Sequence, residues 1–263
     1  MPGGGENSFI SMLPNHPSPA VNPESSPTSR GLVSIILATY NEAENIQDMV
    51  RAVCAALPDP LEIIVVDDNS PDQTWKIAVD MADPHVKVIR RINTRGLASA
   101  INRGIIESDG DFIGWMDADL CHPPVLLAQM LESLKQYDVV IGSRYVKGGK
   151  DDRGAARVLT SRFVNRLASF VLGHSILDYD SGFILMHRRV LDSVSLIPSG
   201  YGAYFIEFIY ACKRKGLKVL ELPYTFTERS RGASKSNVNL LQFGIAGLGY
   251  ITRILKIRFA HLD

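Results

Sequence analysis

Short apolar runs and longer segments of helical spacing take turns along the first half of this chain. Val33-Ser34-Ile35-Ile36-Leu37 is β-branched and stops at Thr39-Tyr40-Asn41-Glu42. Over 44–57 the apolar positions Ile46, Met49, Val50, Val53 and Leu57 recur at helical spacing, and Pro58 and Pro60 end the segment. A second strand over 61–66 stops at Asp67-Asp68-Asn69-Ser70-Pro71-Asp72. Then come a helix over 73–81, a strand over 86–90, a helix from Arg95-Gly96-Leu97-Ala98 to about 107, and a strand over 111–116. A further helix is expected over 205–214. Strands alternating with helices imply right-handed crossovers and an α/β fold with a mostly parallel sheet. Each polar cluster follows a strand, so the clusters line one edge of the sheet, where open α/β folds bind ligands.

The last of these clusters, Asp117-Ala118-Asp119, carries the most chemistry. Residues i and i+2 of an extended segment point to the same side, so both carboxylates can face one spot. They repel unless a cation lies between them. Mg²⁺ with a diphosphate suits such a place, because the ion takes one or two carboxylates plus substrate phosphates. Alone, the pair is also compatible with a helix cap or a solvated turn.

Composition narrows the classes. The chain has 263 residues, 46% of them hydrophobic, with 28 basic and 28 acidic side chains, so no net field draws it to nucleic acid. Cys54, Cys121 and Cys212 are far apart with no CxxC, which argues against a disulfide framework and fits a reducing compartment. Residues 1–30, rich in Pro, Gly, Ser and Asn, are expected to form a disordered tail without the features of a secretory signal. No GxGxxG follows the first strand and no GxxxxGK[ST] exists, which excludes a dinucleotide oxidoreductase and a P-loop ATPase.

Thr39-Tyr40-Asn41-Glu42, Asp67-Asp68-Asn69-Ser70-Pro71-Asp72, Arg95-Gly96-Leu97 and Asp117-Ala118-Asp119-Leu120-Cys121-His122-Pro123-Pro124 together resemble family 2 glycosyltransferases of the GT-A fold. Further along, Gly142-Ser143-Arg144-Tyr145, Ser181-Gly182-Phe183 and Arg229-Ser230-Arg231-Gly232-Ala233-Ser234-Lys235 resemble the dolichol-phosphate mannose synthases and related polyprenyl-phosphate hexosyltransferases. The resemblance spans roughly 32–240 and implies a GT-A domain over 31–238. It implies that Ala38, Tyr40, Glu42, Val66, Asp67, Asp68, Arg95 and Gly96 hold the nucleotide sugar, with Asp117, Ala118 and Asp119 at the diphosphate. Asp117 and Asp119 would hold Mg²⁺ or Mn²⁺, and Arg229 and Lys235 would close on the donor phosphates. Arg144, Arg157 and Ser161 would receive the acceptor phosphate. The catalytic set would be Asp119, Arg144, Arg229 and Lys235, with Glu207 a candidate supporting carboxylate.

The chain departs from the family pattern at Ala38, where Pro is common, at Cys121 beside the metal pair, and at Ser236-Asn237. A thiol is a poor ligand for a hard ion, so Cys121 is left off the metal set. A sugar-1-phosphate nucleotidyltransferase would carry a Gly-rich loop after its first strand, and a processive polysaccharide synthase a Gln-x-x-Arg-Trp motif. Neither is present.

The implied reaction is inverting transfer of a hexose, with mannose from GDP-mannose the first choice, to a polyprenyl or dolichyl monophosphate. The alternatives are UDP-glucose-dependent glucosyl transfer and a non-catalytic nucleotide-binding subunit of a membrane complex. Segment 239–263 interleaves apolar residues with Arg253, Lys256 and Arg258. It reads either as a helix in a membrane interface or as one packed on the domain. The expected location is the cytoplasmic face of a membrane, reached through this helix or through a small membrane subunit.

Overall fold

The computed structural model describes residues 31–173, 176–199, 203–227 and 253–259. Strands β1 (Val33–Thr39), β2 (Leu61–Asp67), β3 (Val86–Arg90) and β4 (Phe112–Asp117) are separated by helices α1 (Ile46–Ala56), α2 (Thr74–Asp80) and α3 (Leu97–Ile106). Helix α4 (Leu126–Ser133), β5 (Val139–Ser143), the short β6 (Lys150–Asp151) and α5 (Ala155–Leu172) follow. Then come β7 (Ile184–His187), α6 (Ala203–Arg214), β8 (Val219–Pro223) and β9 (Thr225–Phe226). The strands expected in the first half fall where the apolar runs placed them, each boundary moving by two residues or fewer.

Seven strands form one sheet in the order β3-β2-β1-β4-β7-β5-β8, and β6 and β9 make a separate two-stranded ladder. Every pairing in the large sheet is parallel except those of β7, which runs antiparallel to both β4 and β5. Gly114 allows that insertion, because a Cβ there would stand 2.6 Å from the Ile184 carbonyl oxygen.

Alternation along the strands splits the core in two. Ile36, Ile64, Val66, Ile113 and Trp115 face α3, α5 and α6, while Ile35, Leu37, Ile63, Val65 and Met116 face α1, α2 and α4. Trp115 anchors the first cluster through edge contacts with Phe205 and Phe208 at centroid distances of 6.5 and 5.6 Å. Ring pairs of this kind add about 0.5–1.5 kcal/mol each beyond their burial.

Residues 253–259 are helical, and Ile254 and Ile257 are buried in the α6 side of the core. Of the two readings for the C-terminal segment, the described part packs on the domain. Glu207, a candidate site carboxylate, instead pairs with Arg253 of this segment. Its charge secures the helix rather than the sheet's carboxyl edge.

Candidate active site

Register brings the polar clusters together. Ala38 lies opposite Val66 on one side and Asp117 on the other, and Thr39 lies opposite Asp67. The carboxyl ends of β1, β2 and β4 therefore form one continuous rim.

Asp67 is fully buried and accepts hydrogen bonds from Thr39 Oγ1 at 2.8 Å, the Ser70 amide at 2.8 Å and Ser70 Oγ at 2.5 Å. Its carboxylate ties β1 to the turn after β2, bracing the rim from behind. Asp68 fixes the next wall: Arg91 Nε donates to it at 2.6 Å and the Gly96 amide at 2.8 Å. Gly96 has φ +140°, a conformation that L side chains rarely adopt. The loop so held carries the Arg95 guanidinium 3.7 Å above the Tyr40 ring, closing one side of the cleft with a cation stacked on an aromatic face. Glu42 is buried and accepts from Asn45 Nδ2 at 2.9 Å, while its amide donates to Thr74 Oγ1 at 2.9 Å.

At the centre of the rim the two expected metal carboxylates have different surroundings. The Asp117 side chain is 46% exposed. Asp119 is buried, its Oδ1 accepting the Cys121 amide at 3.0 Å. Leu120, between Asp119 and Cys121, takes φ +64°, which makes the sharp turn after β4. Cys121 is buried and packs.

His122 belongs to the Asp117–Pro124 motif. Its ring is buried and lies flat against Phe183, with centroids 5.1 Å apart. The Asp117 amide donates to Nδ1 at 3.1 Å, so the ring proton sits on Nε2. That nitrogen has no hydrogen-bond partner and lies 4.0 Å from Asp117 Oδ2. A buried imidazole nitrogen 4.0 Å from a half-exposed carboxylate, with a second carboxylate two residues on, fits a hard divalent ion: oxygen ligands held beside a neutral ring.

The second half of the rim comes from β5 and from the loop entering β7. Arg144, expected to offer its fork to an acceptor phosphate, is 3% exposed. The fork grips Asp178 instead, Nε at 2.8 Å and Nη2 at 2.6 Å, and Nη2 also donates to the Asp180 carbonyl at 3.1 Å. Asp178 is itself aimed by Glu221, whose Oε1 accepts the Asp178 amide at 3.0 Å and whose Oε2 accepts the Leu177 amide at 2.8 Å. Beside this pair, Arg153 forks to Asp151 at 2.8 and 2.7 Å, and Tyr145 Oη donates to Asp151 at 3.0 Å. The Arg144 and Arg153 guanidiniums stand 5.7 and 4.9 Å from the Phe226 ring centre. Ser161 Oγ is shielded from solvent beside Tyr145, and Arg157 is half-buried one turn earlier on α5. Arg229 and Lys235 lie outside the described residues.

The residues that sequence reasoning missed are Arg91, His122, Asp151, Arg153, Asp178, Asp180 and Glu221. Asp178-Tyr179-Asp180 directly precedes the quoted Ser181-Gly182-Phe183, so the same spacing argument that found Asp117 and Asp119 could have marked it.

Two groups of the rim titrate away from their ordinary ranges, in opposite directions. Burial pushes His122 down to about 4, with Asp119 opposing. Burial raises Asp180 to about 6, Asp178 and Asp117 adding to the rise and Arg144 opposing it. As pH falls from 6.5 to 4, the unfolded chain protonates its histidine before the folded one does, and stability drops by about 3 kcal/mol. From about 6 to 3.8 the folded state takes up the Asp180 proton first, a gain of similar size. These two contributions therefore offset each other. In metal-free protein, His122→Gln should gain about 3 kcal/mol on wild type between pH 7 and pH 4, read from urea midpoints. Parallel profiles would show that the imidazole is not held neutral.

The family model described as Glycosyl transferase family 2 matches residues 34–195. Among curated proteins, the chain is 42% identical over 210 residues to a dolichol-phosphate mannosyltransferase of Pyrococcus furiosus, covering 77% of this chain and 58% of that one. It is 36% identical over 245 residues to a polyprenol monophosphomannose synthase of Mycolicibacterium smegmatis, covering 88% and 91%. The match thus spans somewhat more than half of the first relative's length and nine-tenths of the second's. Among solved structures, glucosyl-3-phosphoglycerate synthase of Mycobacterium tuberculosis, crystallised with Mn²⁺, UDP and glucosyl-3-phosphoglycerate, superposes with TM-score 0.67. It is 20% identical, covering 86% of this chain and 80% of that one, which marks a shared fold. Family match, relatives and a carboxylate-rimmed, mostly parallel sheet agree: this chain belongs to glycosyl transferase family 2.

Proposed function

We propose that this chain transfers mannose from GDP-mannose to a polyprenyl monophosphate, with inversion, at the cytoplasmic face of a membrane. The observation that carries this reading is the meeting at one sheet edge of the Asp117–Asp119 pair with the Arg144–Asp178 and Arg153–Asp151 pairs. One side suits a nucleotide diphosphate and the other a phosphate-bearing acceptor. Mannose and the polyprenyl acceptor are supported by relatives named for that sugar and that class of lipid.

Tyr40 under Arg95, with Ala38, Glu42 and the Asp67-Asp68 turn, forms the nucleotide cleft. Asp117 and Asp119 would hold Mg²⁺ or Mn²⁺, which when bound supplies positive charge against the donor diphosphate. Arg229 and Lys235 are assigned to the same phosphates. Arg157 and Ser161 are assigned to the acceptor phosphate, near the buried Arg144 that pairs with Asp178.

A phosphate monoester has a second pKa of about 6 and is largely dianionic at neutral pH, so its oxygen attacks the anomeric carbon without a protein base. The bond from that carbon to the nucleotide diphosphate breaks on the opposite face, and an α-linked donor gives a β-linked product. The site's task is alignment and charge stabilisation.

The lipid tail finds support on α5. Leu159, Phe163 and Phe170 recur at i, i+4 and i+11 and are exposed, Phe170 to 86%, with Arg162 and Arg166 exposed on the same stripe. An apolar stripe flanked by cations suits a headgroup boundary. None of the described helices is long and apolar enough to cross a membrane.

The test is incubation with Mg²⁺ or Mn²⁺, a short polyprenyl phosphate, and radiolabelled GDP-mannose or UDP-glucose in parallel. Label should enter the lipid fraction from GDP-mannose alone. Transfer from UDP-glucose alone would overturn the donor assignment, and transfer from neither, with nucleotide binding intact, would favour the non-catalytic reading.

A further inference from the structure

A second cluster of ligand-bearing side chains lies at the opposite edge of the sheet, where the strands begin. Cys54 sits near the end of α1, Asp83 in the connection from α2, and His85 just before β3. Cys54 Sγ, one Asp83 oxygen and one His85 ring nitrogen all lie within 4.8 Å of one another. The cluster is half-buried and rigidly mounted: Cys54 packs against the core, the His85 carbonyl accepts the Ile63 amide at 2.7 Å, and the Val86 amide donates to Asp83 O at 3.0 Å. The stretch of β2 from Glu62 to Asp67 separates it from the carboxyl rim by ~16 Å, so it is not part of the transfer site.

The geometry of His85 is what makes the cluster more than a local ion pair. Nδ1 faces Asp83 Oδ1 at 2.8 Å and Nε2 faces Asp59 Oδ1 at 2.9 Å. A histidine that ligates a metal through one nitrogen commonly donates its other N–H to a carboxylate, which fixes tautomer and ring orientation. Asp59 stands where that outer carboxylate belongs. Cys54 is raised above its usual range by burial and then by Asp83 and Asp59, so burial first and the carboxylates second keep the thiol protonated until a cation enters.

We propose that Cys54, Asp83 and His85 Nδ1 bind a divalent ion of the zinc class, with Asp59 orienting the imidazole. A thiolate, an imidazole and a carboxylate make a mixed donor set that suits a borderline-soft ion and not Mg²⁺. Tetrahedral zinc bonds of about 2.0–2.3 Å place ligand atoms ~3.5 Å apart, so Asp83 Oδ1 and His85 Nδ1 must open from 2.8 Å while Cys54 Sγ stays within the present 4.8 Å. The proton on the thiol and any proton on Nδ1 leave as the ion binds. The bound ion would staple α1 to the start of β3, a structural role independent of the proposed transfer.

The test uses full-length, metal-stripped protein in excess Mg²⁺, which fills the carboxyl rim, titrated with Co²⁺. Wild type should take up one equivalent with tetrahedral cobalt absorption and a thiolate charge-transfer band, both displaced by Zn²⁺. The band should vanish in Cys54→Ser, persist in Asp119→Ala, and need roughly 10- to 100-fold more Co²⁺ in Asp59→Asn. Should Cys54→Ser fail to fold, loss of the band in His85→Gln serves instead. A wild type without the thiolate band, or a band that survives Cys54→Ser, would overturn the proposal; survival would move the thiolate to Cys121 or Cys212.

Discussion

Asp119→Ala should abolish transfer, lowering kcat by ~10³-fold or more, because a divalent ion's charge at a departing diphosphate is worth several kcal/mol and each 1.4 kcal/mol is a decade. The carboxylate has two separable duties: it accepts the Cys121 amide at 3.0 Å and it supplies charge at the rim. Asp119→Asn keeps an acceptor for that amide while removing the charge. Both variants should therefore lose turnover, with Asp119→Asn melting within about 1 kcal/mol of wild type. Metal titration by calorimetry, with the nucleotide diphosphate present, should show the ion's affinity collapsing in both. Normal turnover in Asp119→Asn would remove Asp119 from the metal set.

Arg144→Ala should cost about 3–5 kcal/mol of stability, because it strands Asp178 uncompensated in a buried place. At roughly 2–4 °C per kcal/mol for a chain of this size, the melting temperature falls by about 6–20 °C. Arg144→Lys keeps a charge but cannot fork across both Asp178 oxygens and should fall between the two. The double variant Arg144→Ala with Asp178→Ala should lose less than the sum of the single losses, with a coupling of ~1–3 kcal/mol. Thermal and urea melts read all four. An Arg144→Ala protein that melts like wild type but shows a raised acceptor KM would mean that the fork serves the acceptor phosphate directly.

The contrast between these two residues shows what the sequence made legible. Asp117 and Asp119 were readable because strand periodicity and a polar stop put them on one edge, and that logic depends only on neighbours in the chain. Arg144 was recognised as important but given an outward role. Its partner Asp178 lies 34 positions away, and Glu221, which accepts the Asp178 amide, lies 77 away; no local pattern reports contacts of that range. The first-half strands were visible as β-branched runs. Helix α5 was not delineated, since Leu159, Phe163 and Phe170 face outward among arginines and blur the polar face that usually announces a helix. Within the C-terminal segment, the burial of Ile254 and Ile257 depends on a surface that only the assembled sheet provides, so it could not be read from neighbours in the chain.

The inverted strand β7 also governs how this protein can be made. β5 is synthesised before β7 yet does not pair with β4; the place between them is kept for a strand some forty residues downstream. Until β7 leaves the ribosome, a growing chain carries β4 and β5 with unpaired backbone edges, apolar on both faces. Such edges are templates for wrong pairing with neighbouring chains. Translation arrested or slowed between β5 and β7 should thus be the point at which nascent chains recruit chaperones or aggregate.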